Sequence, residues 1–237
     1  MSAAALRALH VPGDPLILPN AWDAGTAKLV AAAGFPAVAT TSSGVADALG
    51  YADGEQTPVE EMLAAVARVA RVVDVPVTAD MEAGYGLEPD ELAGRLLDTG
   101  AVGLNLEDSD HGDRPALVPV ERHAERIAAL KRAGDVVVNA RVDVHLRGGS
   151  TDEALARAAA YRDAGADCVY PIAVVDEATL AQFVELGVAV NVLLRPGAPP
   201  LRRLAELGVA RVSLGHFVHA EMMEALERRL AGLQPPR

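Results

Sequence analysis

Five glycines set the period of the chain. Gly100, Gly134, Gly165, Gly187 and Gly208 stand 34, 31, 22 and 21 residues apart, and an apolar run follows each within three residues. A helix that must stop just before a strand ends most readily on a residue that accepts the left-handed conformation, so each glycine reads as the position after a helix C-cap. Upstream, apolar runs at 16–18, 35–41 and 76–79 extend the alternation, with Gly34 closing the first helix. Strands 168–170, 189–193 and 211–214 complete a set of eight. Eight strand-helix units with right-handed crossovers close into a (β/α)₈ TIM barrel, a single domain over 1–237. A doubly wound open sheet is the alternative, but Pro19-Asn20-Ala21-Trp22-Asp23-Ala24-Gly25 after the first strand lacks a dinucleotide fingerprint.

Local signals mark the helices. Thr57 and Glu60 predict a capping box around Pro58, and Met62, Val66, Val69 and Val73 give the helix that follows one apolar face. Ser150 and Glu153 predict a second box, Pro89 and Pro119 open further helices, and the last helix spans about 217–230. After the second strand, 42–44 and 50–54 read as loop. The polar, breaker-rich stretch from Ser109 through His111 to Pro115 is the expected mobile segment.

In a barrel the chemistry gathers at the C-terminal strand ends. Here the third strand delivers Asp80 and Glu82 to Gly84-Tyr85-Gly86, the fourth ends in Glu107-Asp108 and the fifth in Arg141-Val142-Asp143. Carboxylates presented this way suit magnesium, which takes oxygen ligands and keeps several waters. The net charge of −12 argues against a nucleic-acid footprint, and no apolar stretch approaches a membrane span. The expectation is a cytoplasmic protein with no nucleic-acid or membrane partner. The single Cys168 excludes an internal disulfide and a multi-cysteine zinc site.

Taken in order, Asn20-Ala21-Trp22-Asp23, Ser43-Gly44, Gly50-Tyr51-Ala52-Asp53, Asp80-Met81-Glu82-Ala83-Gly84-Tyr85-Gly86, Gly103-Leu104-Asn105-Leu106-Glu107-Asp108, Ala140-Arg141-Val142-Asp143 and Ala164-Gly165-Ala166-Asp167 resemble the isocitrate lyase and phosphoenolpyruvate mutase superfamily. The resemblance implies a barrel that binds magnesium, with manganese as substitute, and a small anionic 2-oxo or 2-hydroxy carboxylate or its enolate. It implies Asp80 as direct metal ligand, with Asp53, Glu82 and Glu107 around the metal's waters. It implies Ser43 and the Gly44 N–H as a cradle for substrate oxygens, Arg141 as the anion's partner and a homo-oligomer, dimer or tetramer. Catalytic roles fall on Arg141, His111 and Asp53, and substrate contacts on Ser43, Gly44, Tyr51, Asp80 and Arg141.

Two departures shape the expected reaction. The lyase branches carry a Lys-Arg-Cys-Gly-His run after the fourth strand, whereas this chain reads Ser109-Asp110-His111-Gly112-Asp113-Arg114 there, so His111 becomes the candidate acid or base. The family's Asp-x-Asp appears as Asp80-Met81-Glu82. The expected activity is C–C bond cleavage by a magnesium-dependent lyase. Alternatives are a P–C bond mutase or hydrolase acting on a phosphonopyruvate-like substrate, and a non-catalytic 2-oxo acid binder. Tyr85 either packs the glycine loop or touches substrate, Trp22 packs the barrel mouth, Cys168 is a buried thiol, His145 stands behind the site or on the surface, and His216 and His219 are structural.

Overall fold

The computed structural model describes residues 1–112 and 116–233. In order these are α1 (Ala3–Ala8), β1 (Leu16–Leu18), β2 (Asn20–Ala21), α2 (Ala24–Ala32), β3 (Val38–Thr40), α3 (Ser42–Leu49), α4 (Val59–Ala70), β4 (Val77–Asp80), α5 (Pro89–Asp98), β5 (Gly103–Glu107), β6 (Ser109–Asp110), β7 (Ala116–Leu117), α6 (Val120–Ala133), β8 (Val137–Val142), a 3₁₀ turn (Val144–Arg147), α7 (Thr151–Asp163), β9 (Cys168–Pro171), α8 (Glu177–Val184), β10 (Ala189–Leu193), α9 (Leu201–Glu206), β11 (Arg211–Ser213) and α10 (Phe217–Ala231).

Pro19, which cannot donate a ladder hydrogen bond, divides the first strand into β1 and β2. β1 pairs with β11 and β2 with β3, and the remaining neighbours run in parallel register around the sheet. Nine segments, two of them halves of one strand, therefore close an eight-stranded parallel barrel. Its strands are near-continuous apolar runs because both faces are covered. The helices bury one stripe each: Met62, Val66 and Val69 of α4, Leu92 and Leu96 of α5, and Ile127 and Leu130 of α6 are fully enclosed.

α1 was not foreseen from the sequence. Ser2 caps it, its side chain accepting from the Ala5 N–H, and the helix seals the N-terminal end of the barrel. Leu6 fills that end so closely that a Cβ on Gly103 would lie 2.8 Å from its Cδ2 and 3.0 Å from the Val137 carbonyl. A glycine is what lets the fourth strand pass.

Four of the five period-setting glycines are left-handed, with φ between +74° and +98°. Gly134 is the exception: it is extended at φ −166°, and its N–H returns to the Leu130 carbonyl. The Thr57 box is also absent. Pro58 holds the N-cap at ψ 133°, α4 begins at Val59, and Thr57 Oγ1 is buried without a partner among the described residues. Ser150 does cap α7, accepting from the Glu153 N–H. The supposed loop at 42–44 is the first turn of α3. At the loop after β5, β6 and β7 form a two-stranded ladder, and positions 113–115 of the expected mobile segment lie outside the described residues.

Candidate active site

The C-terminal strand ends surround a cavity of about 430 Å³. Ser42 and Ser43, Asp53, Asp80, Arg141, Arg195 and His216 supply its polar walls, while Leu146, Ile172, Leu193 and Phe217 supply an apolar one. A second cavity of about 420 Å³ lies at the opposite end beside Arg7, His10 and Asp167. Arg7 and Asp167 already pair there at 2.6 Å, and the strand-end carboxylates are at the other end of the barrel.

Asp80 ends β4 and caps α3 from a neighbouring strand. Its Oδ2 accepts from the Ser42 N–H at 3.2 Å and from Ser42 Oγ at 2.9 Å. Among the described residues Thr41, at the N-cap itself, makes no side-chain capping hydrogen bond, and this tertiary cap stands in its place. It leaves the Ser43 and Gly44 N–H groups as first-turn donors without an intrahelical acceptor, at the positive end of the helix. Gly44 is required by packing, since a Cβ there would meet Thr41 Cγ2 at 2.7 Å and Trp22 Cβ at 3.2 Å.

Below the mouth, asparagines replace apolar residues at inward positions. Asn105 Nδ2 donates to Asp80 Oδ1 at 3.4 Å, and Asn105 Oδ1 accepts from Asn139 at 2.8 Å and from the fully buried Arg211 at 3.0 Å. Burial lowers the pKa of Arg211. Asn20 staples the mouth: Oδ1 accepts from the Leu214 and Gly215 N–H groups while Nδ2 donates to the Thr40 carbonyl.

Arg141 lies between two enclosed carboxylates. Its Nη1 meets Glu107 Oε2 at 2.5 Å, and Nε and Nη2 meet the two oxygens of Asp143 at 2.6 and 2.9 Å. Burial alone would lower the pKa of Arg141, but these carboxylates outweigh it and the net shift is upward. Asp143 is held in turn by Ser109 Oγ at 2.6 Å. Behind it, Asp108 accepts from the Asp143 N–H, Tyr161 Oη and Arg157.

Glu82 and His111 are close to the mouth but face other partners. Glu82, Tyr85 and Glu55 all have positive φ, 45°, 56° and 59°, and interlock. Tyr85 Oη donates to Glu82 Oε1, the Glu55 N–H donates to Glu82 Oε2 at 2.8 Å, and Glu55 accepts from the Tyr85 N–H. Three non-glycine residues in this sparsely populated region are held there by one another and by Arg126, which donates to the Ala83 and Leu87 carbonyls. Burial, with Asp80 and Asp53 nearby, pushes Glu82 up to about 7 against the opposing Tyr85 hydrogen bond. His111 Nε2 lies 2.5 Å from Glu107 Oε1, which raises the imidazole pKa.

The structure thus brings Ser43, Asp53, Asp80 and Arg141 to one cavity, with Gly44 one residue behind Ser43. Glu82 and Glu107 stand behind that wall, engaged by Tyr85 and Glu55 and by Arg141 and His111. Tyr51 turns away, its hydroxyl donating to Glu61 at 2.7 Å. Tyr85 packs the glycine loop. His216, expected to be structural, lines the cavity and stacks on Phe217 at 4.4 Å. Ser42, Asn105, Asn139 and Arg195 were not singled out from the sequence. The asparagines had a signal, since Asn105, Asn139 and Asn191 each interrupt an apolar strand.

No group of three or more His, Cys, Asp or Glu among the described residues forms a metal cage. A hard cation that keeps most of its waters needs fewer direct ligands, and Asp80 with Asp53 in the lining of the same cavity fits that donor chemistry.

The family model described as phosphoenolpyruvate phosphomutase matches residues 6–234. A Mycobacterium tuberculosis protein described only as uncharacterized is 38% identical over 87% of this chain and 80% of its own length. The 2-methylisocitrate lyase of Escherichia coli is 30% identical over 90% of this chain and 77% of its own. The crystal structure of a phosphonopyruvate hydrolase in complex with oxalate and magnesium superposes with a TM-score of 0.88 at 24% identity, over 98% of this chain and 87% of that one.

Proposed function

Because the chain belongs to the phosphoenolpyruvate mutase/isocitrate lyase superfamily, whose members include lyases, mutases and hydrolases of small carboxylates, we propose that it is a magnesium-dependent lyase. It cleaves a C–C bond of a small 2-oxo or 2-hydroxy carboxylate through a pyruvate-like enolate. The supporting observation is the one cavity lined together by Asp80, the first turn of α3 and Arg141. The hydrolase of the same fold was crystallised with oxalate, which has the shape and charge of that enolate, and with magnesium.

Asp80 and Asp53 would hold the metal, and Glu82 and Glu107 would stand behind its waters. When bound, magnesium supplies positive charge at the oxygen where the enolate develops. The Ser43 and Gly44 N–H groups hold the carboxylate and carbonyl oxygens, and their preorganisation favours the charge that grows in the transition state. Ser42, donating to Asp80 through its N–H and Oγ, keeps that carboxylate aimed. Arg141, already balanced by Glu107 and Asp143, orients the anion. His216 moves the proton at the substrate carbon, a role supported by its position on the cavity wall, and His111 pairs with Glu107 behind it.

α10 extends this reading to assembly. Met222, Met223, Leu226 and Leu230 are each 46–55% exposed along it, and a second copy of the chain covers that stripe in a homo-oligomer. Light scattering that returns a monomer would remove this part alone.

The central test is calorimetric titration of oxalate with and without magnesium, on the wild type and on Asp80→Asn. Binding that requires magnesium and disappears in the variant is the expected result. Metal-independent binding unchanged by Asp80→Asn would refute the site. Tight binding without turnover of any 2-oxo or 2-hydroxy acid would turn the reading to a binding barrel.

A further inference from the structure

Building on the 2-oxo or 2-hydroxy acid site, we propose that Arg195 fixes the substrate class: it receives a second anionic group, so the substrate is a dicarboxylate.

Arg195 follows β10 and is one of the residues lining the cavity, as are Leu193, Ile172, Leu146 and His216. Its Nε is buried and has no hydrogen-bond partner among the described residues. A guanidinium carries five donors and cannot lose its charge, so an enclosed N–H without an acceptor calls for one from a ligand. The contrast with Arg141 is direct. Glu107 and Asp143 already balance that cation, which leaves Arg195 as the arginine of the cavity wall without a carboxylate partner among the described residues.

The backbone fixes where Arg195 stands. The Ala198 N–H donates to the Arg195 carbonyl at 3.0 Å, with Pro196 and a left-handed Gly197 (φ +88°) between them. That is the sequence and hydrogen bond of a type II turn, with Arg195 at its first position. Proline in the second position and glycine in the third hold the turn without a ligand, so the arginine is presented in advance.

Charge along the cavity then orders the substrate. The first-turn N–H groups of α3, together with a divalent cation held by Asp80 and Asp53, would take the oxygens of the 2-oxo or 2-hydroxy carboxylate. Leu193 and Ile172, in the lining of the same cavity, accept a short carbon chain. The far carboxylate meets the guanidinium, a pairing whose two forks match.

The test is calorimetry on the intact protein with magnesium, titrating oxalate, malate and 3-phosphonolactate into the wild type, Arg195→Gln and Arg195→Lys. Thermal melts first verify that each variant is folded, and the lysine variant serves if the glutamine one is not. Arg195→Gln should bind oxalate within about twofold of wild type and malate at least about thirtyfold more weakly, with Arg195→Lys recovering part of the loss. Equal weakening of oxalate and malate, or unchanged malate affinity, overturns the proposal. So does a wild type that does not bind malate. A loss confined to 3-phosphonolactate overturns the dicarboxylate in favour of a phosphonate. Failure of oxalate to bind the wild type, with Arg195-dependent malate binding intact, removes the enolate reading and leaves Arg195's role standing.

Discussion

Arg141→Met tests the electrostatic design of the site, and its effect can be worked from the geometry. The guanidinium makes contacts of 2.5, 2.6 and 2.9 Å to Glu107 and Asp143, whose side chains are each 2% exposed. Removing it leaves two carboxylates enclosed beside each other. Breaking a buried pair from one side typically costs about 3–5 kcal/mol, because the stranded charge keeps its desolvation penalty. In a chain of this size that corresponds to a melting temperature lower by roughly 6–20 °C.

The assay is urea unfolding followed by circular dichroism, repeated from pH 8 to 5. Burial already raises the pKa of Glu107 against the pull of Arg141, and the variant raises it further. A carboxyl whose folded pKa exceeds its unfolded value binds a proton more tightly when folded, so stability rises as the pH falls through that folded pKa. The deficit of Arg141→Met should therefore shrink toward pH 5. Adding Glu107→Gln should recover part of it at pH 8, because only one stranded carboxylate remains. A loss under about 1 kcal/mol, or a deficit that grows on acidification, would refute the buried-pair account of Arg141.

Tyr85→Phe removes the hydroxyl donor of Glu82, which is 4% exposed, and should cost about 1–3 kcal/mol in urea unfolding. No change would mean that the left-handed trio of Glu55, Glu82 and Tyr85 does not depend on that bond. At the other end of the barrel, burial alone would raise the pKa of Asp167, but Lys131, Arg7 and the Val138 N–H outweigh it and lower the value. Its contribution to stability is thus present above the unfolded value of about 3.9 and is lost as the pH falls through the folded one. Lys131→Met should flatten the acid limb of stability against pH, and an unchanged slope would count against the pairing. Burial pushes the Cys168 thiol up to about 12, so iodoacetamide at pH 8 should label it only after urea is added, as mass spectrometry would read.

The features legible in the sequence are those whose cause is local. A left-handed glycine at a helix end needs no distant partner, and Gly100, Gly165, Gly187 and Gly208 behave as read. The strand-end carboxylates were found because the barrel period places them. α3 was missed because Ser42-Ser43-Gly44 has the composition of a loop, and what makes it helical is a cap from Asp80, 38 residues away in sequence. Thr57 misled because the capping box counts spacing but not the proline that fixes the chain's entry into α4. Gly134 misled for a similar reason, since its extended backbone is compatible with the position the period assigned it. Tyr51 was drawn toward the site by its proximity to Asp53, and only the fold shows its hydroxyl on Glu61.

Which charges at the mouth can act on a substrate depends on how each is already balanced. A chain of −12 that receives an anion must reverse its own field locally. Arg141 looks like the natural source of positive potential, yet Glu107 and Asp143 surround it and already take its Nε, Nη1 and Nη2 donors. It orients more than it attracts. The donors that remain are the first turn of α3, which Asp80 organises, and Arg195 in the lining of the same cavity. Asp80 and Asp53 repel an anion unless a cation lies between them and it. On the proposed reading, metal dependence and a preference for two anionic groups therefore follow from one distribution of charge, in which Arg141 is already balanced by Glu107 and Asp143 while Arg195 has no carboxylate partner among the described residues.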